Sequence, residues 1–256
     1  MDTLHLEQLL AAAVFIGARV SGLMVYCPFL SSDAIPAPLK ATLVLVITAL
    51  LYPLRGPLQL NLDSWQWVGV ALSEVVIGLI LGLAANLMME APLLAGQVLG
   101  VQMGYSLATL FDPNTQADTP VLAEFHRLAA LLIFLQLDVH HWLLRAMVSS
   151  FSYLPAGAAA ATFTAASGLL RAAGGIFLAG VQIAAPGLVA TLVADVALGF
   201  LGKASPQLPV LFVGLAVKNL LGLAVMIGVV ACWPQSFSHH FAESIALGER
   251  LLHLTR

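Results

Sequence analysis

The sequence predicts an all-α protein that crosses a membrane several times, and three observations carry that reading. Of the 256 residues, 60% are hydrophobic and only 9% are charged, against roughly 25% charged in soluble domains. The mean hydropathy is +0.97. The apolar residues gather into successive runs close to the about 20 residues that span a bilayer as a helix. A backbone in hydrocarbon must satisfy its own hydrogen bonds, and a helix does so within one segment. A net charge of −3 and a pI near 6.1 leave no basic field for nucleic acid.

The first ten residues, MDTLHLEQLL, hold no Lys or Arg, and the apolar run that follows reaches Leu30. That is too long for a signal-peptide core, so it reads as a retained span over 9–30 with Arg19 inside it. SSDAIPAP follows as a loop, and Lys40 to Leu54 forms a shorter run, a steep helix or half of a hairpin. Trp65 and Trp67 stand where interfacial aromatics stand, just ahead of a third run at 67–89. In that run Glu74, Gly78, Gly82, Asn86 and Glu90 recur every four residues, which places a small and polar stripe on one helix face, turned toward protein.

The central stretch, 96–127, turns from apolar to small to polar and back. Gly96, Gly100 and Gly104 would give a helix a groove without side chains, where a second helix can approach closely. Asp112-Pro113-Asn114 favours a turn, Thr119-Pro120 closes the loop, and 105–120 reads as an irregular segment that must lie outside lipid, inside protein or along water. Beyond it, 121–137 and 142–154 read as two half-length segments separated by Asp138-Val139-His140-His141. Gly174-Gly175 opens a run to Leu201 in which Ala185-Pro186-Gly187 should bend or break the helix. GKASPQLP at 202–209 is a short loop, 210–232 a final span, and 233–256 a more polar tail. The lysines and arginines are spread thinly over the loops; Arg250 and Arg256 put the tail on the cytoplasmic side.

A charge at mid-helix costs on the order of 2.5–3.5 kcal/mol to insert, so Arg19, Glu74, Asp195 and Lys218 each need a reason: pairing within a bundle, or a conduction or proton-relay role. For Asp195 and Lys218 the register supplies a partner. A turn near Ser205-Pro206 sets them about two residues, or ~3 Å, apart along a hairpin. No metal site is expected at His140-His141, because neighbours on a helix point about 100° apart, nor at His239-His240 in the tail. Cys27 and Cys232 form no CxxC pair and read as buried. HExxH, GxSxG, the Walker pattern and GxGxxG are absent, so catalysis and cofactors have no support.

Three function classes are compatible with a polytopic membrane protein. A secondary transporter would use broken helices with polar residues at mid-membrane, as Pro186-Gly187 with Asp195 loosely suggests. An intramembrane enzyme needs a nucleophile and base, or a metal set, and shows neither. A structural subunit of a membrane assembly, with small-residue stripes, short hairpins and an irregular polar loop, fits the whole chain best.

The order of RVSGLMVYCPFLSSDAIPAPLK, the Glu74 helix leading into AGQVLGVQMGYSLATLFDP, LIFLQLDVHHWLLRAMVSSFSYLPAG, and KASPQLPVLFVGLAVKNLLGL resembles the FliR family of flagellar export-gate proteins across most of residues 19–225. Virulence type III secretion counterparts are the nearest rival; the glycine helix and Asp112-Pro113 look more flagellar. The first ten residues and the tail after Trp233 match nothing. The resemblance implies one membrane domain of tilted, partly broken hairpins around a pore, in the inner membrane at the flagellar basal body. It implies a non-enzymatic subunit beside FliP-like and FliQ-like gate subunits, with an FlhB-like subunit outside and unfolded flagellar proteins as cargo. The loop with Leu107, Leu110, Phe111, Asp112, Pro113, Asn114 and Gln116 aligns with the family's pore-closing segment.

Overall fold

The computed structural model describes residues 3–32, 35–54, 64–105, 120–155, 164–205, 207, 209–235 and 237–238. The regular elements among them are all helical: α1 (Thr3–Tyr26), α2 (Ala37–Leu51) with a 3-10 turn at Tyr52–Leu54, α3 (Ser64–Gln102), α4 (Val121–Gln136), α5 (Val139–Tyr153), α6 (Thr164–Ala204) and α7 (Val210–Val230). The expected loop at 106–118 and the tail from residue 239 onward, with its expected cytoplasmic side, lie outside the described residues.

Prolines set several boundaries. α2, α4 and α7 each start directly after one, Pro36, Pro120 and Pro209, and none has a side-chain cap. A residue with φ fixed near −65° and no N–H of its own enters a helix without leaving another donor stranded. Two prolines behave otherwise. Pro92 lies inside α3 and Pro186 inside α6, and both helices continue past them. The break expected at Ala185-Pro186-Gly187 is therefore absent, and the helix expected from Gly174 starts ten residues earlier, at Thr164. Each proline removes one backbone bond, a loss that a helix packed on its neighbours can carry.

α3 also takes up part of the stretch read as a loop. It runs to Gln102, so Gly96 and Gly100 are helical and Gly104 is not a groove residue. Gly104 has φ 85°, and the helix closes with Tyr105 N–H on Gly100 O (2.9 Å) and Gly104 N–H on Val101 O (3.1 Å). That pair of bonds is the glycine-terminated helix end that satisfies otherwise orphaned carbonyls. The half-length pair at 121–154 is present as α4 and α5, divided only by the turn at Leu137-Asp138.

The chain divides into two compact units, residues 1–88 with 138–173 and 240–256, and residues 89–137 with 174–239. In the first, Ile16, Val20, Leu23 and Met24 of α1 pack with Ile77, Leu81 and Ala85 of α3 and Leu143, Met147 and Phe151 of α5. Trp67 lies tilted on Phe15 at 5.1 Å between ring centroids, so it is a packing residue, whereas Trp65 is 85% exposed as an interfacial aromatic would be. In the second, Ala95, Leu99 and Met103 of α3 meet Leu122 of α4, Ala184 of α6 and Met226 of α7.

Both units are closed by helices in backbone contact. In the first, a Cβ on Gly78 would run into the carbonyl of Arg19, and one on Gly22 into that of Val75. In the second, a Cβ on Gly96 would meet Ala123 Cα and lie 2.7 Å from Leu122 O. The expected groove thus meets a helix of the same chain, α4, and Gly96 rather than Gly100 makes the tight approach, since a Cβ at Gly100 would stand an ordinary 3.4 Å from Pro120 Cβ. Gly82 continues the α1 contact with a Cβ position 2.6 Å from Leu23 O. Overpacking of this kind costs about 1–3 kcal/mol. Gly78→Ala should therefore lower the thermal unfolding temperature of the detergent-purified protein by several degrees. Gly69→Ala, on the same helix with nothing within 4 Å of the new Cβ, should leave it unchanged or slightly raised. Equal melting of the two variants would refute the contact.

Candidate functional site

The ion pairs that join helices lie at two places, one in each unit. In the first unit Arg19, on α1, has no exposed surface. Its Nε donates to Glu74 Oε2 at 2.5 Å, Nη1 to Ser150 Oγ at 3.1 Å, and Nη2 to the Leu154 carbonyl at 2.9 Å. The guanidinium carbon stands 3.9 Å from the centroid of the Phe151 ring, within reach of a cation–π contact. Glu74 on α3 is as buried as Arg19. Ser150 passes the interaction on by donating to Met147 O at 2.7 Å. The Leu154 carbonyl belongs to the residue that ends α5, where the helix presents partial negative charge and a cation is favoured. One side chain therefore ties α1 to α3 and to the end of α5.

In the second unit Asp195 of α6 receives Gln102 Nε2 at 3.0 Å on Oδ2 and pairs through Oδ1 with Lys218 of α7. The pairing expected from the register is present. Its burial is not as expected: the Asp195 side chain is 37% exposed and that of Lys218 21%. Both lie on helices whose outward faces are bare in the chain by itself, so the pair is half-covered, unlike Arg19 and Glu74. Beside it, the Asn219 Oδ1 is buried and meets no donor among the described residues.

His126, fully buried on α4, sits in the second unit with Nδ1 2.7 Å from the Leu122 carbonyl and its ring tilted against Trp233 at 5.0 Å between centroids. With Nδ1 acting as donor, Nε2 is a bare acceptor, and it has no partner among the described residues; nor has Trp233 Nε1. Burial drives the His126 pKa below its usual value, against a smaller opposing effect of the Leu122 carbonyl. At the helix surface, Glu124 accepts both Nε (2.8 Å) and Nη2 (2.6 Å) of Arg127, an exposed pair of the kind that contributes little stability.

Of the residues singled out from sequence, Arg19 with Glu74 and Asp195 with Lys218 are brought together as two ion pairs. Gly78, Gly82 and Gly96 lie at helix crossings, Gly100 beside one, and Gly104 ends α3. The candidate plug residues Leu107, Leu110, Phe111, Asp112, Pro113, Asn114 and Gln116 lie outside the described residues. Sequence reasoning missed Ser150, the Leu154 carbonyl, Gln102 and Gly22. Gly22 carried a readable signal, a side-chain-free position three residues after a buried-helix arginine. The others depend on partners 93 to 135 residues away.

Among the described residues three helices are long and apolar enough to cross a membrane, Trp65–Gln102, Gly174–Ala204 and Phe212–Val230. Together with the paired charges inside them, they define an all-α polytopic membrane protein. Residues 10–244 match the family of bacterial export proteins, family 1. The flagellar biosynthetic protein FliR of Escherichia coli (strain K12) is 31% identical over 225 residues, 88% of this chain and 86% of the relative. FliR of Pectobacterium carotovorum is 32% identical with the same coverage, and FliR of Bacillus subtilis 29% identical over 223 residues, 86% of each chain. The chain belongs to the FliR family of flagellar export proteins.

Two predictions follow from this geometry. Removing one member of a buried ion pair leaves a lone charge, at a cost of about 3–5 kcal/mol, while replacing both by apolar groups is often tolerated. Arg19→Met and Glu74→Leu should each sharply reduce recovery of folded protein from membranes, and the double variant should recover more than either; additive losses would count against direct coupling. The second concerns pH. His126 has a lowered pKa in the fold and an ordinary one near 6.5 unfolded, so protonation favours the unfolded chain and stability falls as pH drops below about 6.5. The measurement is made on the detergent-purified protein. The unfolding temperature of the parent should fall between pH 7.5 and pH 5.5 by more than that of His126→Phe; parallel curves would refute the assignment.

Proposed function

We propose that this chain is a non-enzymatic structural subunit of the flagellar type III protein export gate, in the bacterial inner membrane at the basal body. It would join FliP-like and FliQ-like subunits to form the channel for unfolded flagellar proteins, with an FlhB-like subunit on the outside. The observation that carries this reading is the family match over residues 10–244, with relatives that bear the name flagellar biosynthetic protein. Those names favour the flagellar over the virulence system.

The helix surfaces support an assembly subunit. Phe177, Val189, Val193, Val196 and Phe200 of α6, and Phe212, Leu220 and Ile227 of α7, are each at least 60% exposed. So much bare apolar surface must meet lipid or neighbouring helices. Four mid-helix charges, Arg19 with Glu74 and Asp195 with Lys218, pair with one another, which suits a scaffold better than a reaction centre.

The segment 106–118 serves in this reading as the gate. Leu107, Leu110 and Phe111 fill and dry a constriction, because apolar constrictions close pores by excluding water. Asp112, Asn114, Thr115, Gln116 and Asp118 let the segment leave without exposing a dry surface.

The test is made in a strain lacking its own copy of the gene. A tagged chain should restore swimming and should come out of detergent with two other small hydrophobic proteins; solitary purification with transport of a small solute would favour a secondary transporter. Replacing 108–117 by a few Gly and Ser should leave the complex assembled but make cells or liposomes leaky to ions and small solutes. An assembled variant as tight as the parent would refute the gate.

A further inference from the structure

The first turn of α5 assembles a donor set that plays no part in the packing described above. Asp138 precedes the helix in the left-handed conformation, φ 53° and ψ 29°, and its side chain makes no capping bond. The turn is closed by backbone alone, His141 N–H at 2.9 Å and Trp142 N–H at 3.4 Å from Asp138 O. The carboxylate faces two imidazoles instead. Asp138 Oδ1 lies 3.3 Å from His141 Nδ1 and 3.8 Å from His140 Nε2, and one donor atom from each of the three residues lies within 4.8 Å of the other two.

Neighbouring helical side chains diverge by about 100°, which argues against their sharing an ion. Here the divergence is overcome in two ways. The rings fold together, 4.2 Å between centroids and 38° between planes, and they offer different nitrogens, the far Nε2 of His140 and the near Nδ1 of His141. The left-handed residue then brings the carboxylate back over both.

The distances are those of a chelate as well as of a loose ion pair. Charge-assisted N–H···O bonds run at about 2.7–2.9 Å. Ligands about 2.0–2.1 Å from a tetrahedral ion stand about 3.4 Å apart, and the observed 3.3 and 3.8 Å lie around that value. Closing the site asks the two imidazole nitrogens, within 4.8 Å of each other, to come to a similar spacing. Two imidazoles and one carboxylate suit zinc and its first-row neighbours, whereas magnesium and calcium prefer oxygen throughout. The side chains are 66%, 38% and 60% exposed for Asp138, His140 and His141, and α5 is not among the helices long and apolar enough to cross a membrane. A dissolved ion can reach them.

We propose that Asp138 Oδ1, His140 Nε2 and His141 Nδ1 bind a divalent transition ion of the zinc class, with the remaining positions open to water or to a donor from a neighbouring molecule.

The experiment uses the full chain, purified in detergent with an affinity tag that contains no histidine and freed of metal. Cobalt(II) is titrated by its visible spectrum, and zinc(II) by displacement of the cobalt. One saturable equivalent is expected, with high-energy d–d bands that zinc abolishes. Loss of an outer-shell partner already weakens metal sites about 10–100-fold, so His141→Ala, His140→Ala and Asp138→Asn should each weaken binding by about tenfold or more. Asn tolerates the left-handed conformation, which keeps the last variant folded. His239→Ala with His240→Ala, which removes the tail pair, should change nothing. Absence of a saturable equivalent, binding indifferent to the three variants, or binding lost with the tail pair would each overturn the proposal.

Discussion

A guanidinium without exposed surface has to have its donors answered by protein, and Arg19 answers them from three directions: a carboxylate on α3, a hydroxyl on α5 and the carbonyl that ends α5. The rest of the first unit depends on this. Arg19's own carbonyl lies against Gly78, one turn along from Glu74, and Gly22, one turn along from Arg19, lies against Val75. The ion pair and the close helix crossing are thus a single construction. A bulkier residue at either glycine would hold the backbones apart, and the 2.5 Å bond between Arg19 and Glu74 could not form without one of the helices moving. Because an unpaired buried charge is far costlier than a missing apolar contact, the pair also fixes which faces of α1, α3 and α5 meet. The stabilisation lies less in the pair itself than in the alternatives it excludes.

The second unit handles the same problem more loosely. Asp195 is shared between a neutral amide and an ammonium, and the pair keeps part of its surface. Such a pair does not force its helices into one arrangement as a dry one does, and its remaining surface can be matched by water, headgroups or another polypeptide. The orphaned Asn219 Oδ1 nearby is a polar atom of the same unit with no answer among the described residues. Buried polar groups without partners are rare enough in native structures that each asks for an explanation.

Much of this was legible in the sequence, and what was not had definite physical reasons. Hydropathy located the apolar part of each described helix because apolar length and backbone self-satisfaction are local properties. The Asp195–Lys218 contact was readable since a short loop fixes the register of a hairpin and a lysine stem tolerates a small offset. Glu74, Gly78 and Gly82 were readable as a protein-facing stripe, yet nothing local says that the stripe meets α1. Ser150 and Leu154 were invisible because their roles are set by a residue more than 130 positions earlier. The break that Pro186 suggested is absent because a proline's local penalty is smaller than what a long, packed apolar helix gains by continuing. Gly104 misled for the opposite reason: a four-residue glycine period is the same pattern whether its last member continues the groove or ends the helix, and only the φ of 85° tells them apart.

The distribution of charge and bare surface also bears on what sort of machine the chain belongs to. A transporter working alone must keep polar groups available to its substrate along a path within one chain, and must cover the rest of its helices with its own residues or lipid. Here Arg19, Glu74, Asp195 and Lys218, four of the charges carried by the described helices, are spent on one another. Meanwhile only 17% of the spanning window of α7 and 28% of that of α6 is buried within the chain, against 44% for α3. The helix that organises the interior is well covered, while the two that follow it are largely bare. Lipid alone could coat them, but α7 also carries Lys218 and Asn219 in the middle of its apolar face, and hydrocarbon is a poor neighbour for a half-exposed ion pair. A second protein surface, apolar with a polar spot at that height, resolves both demands at once, as a subunit of a larger membrane assembly requires.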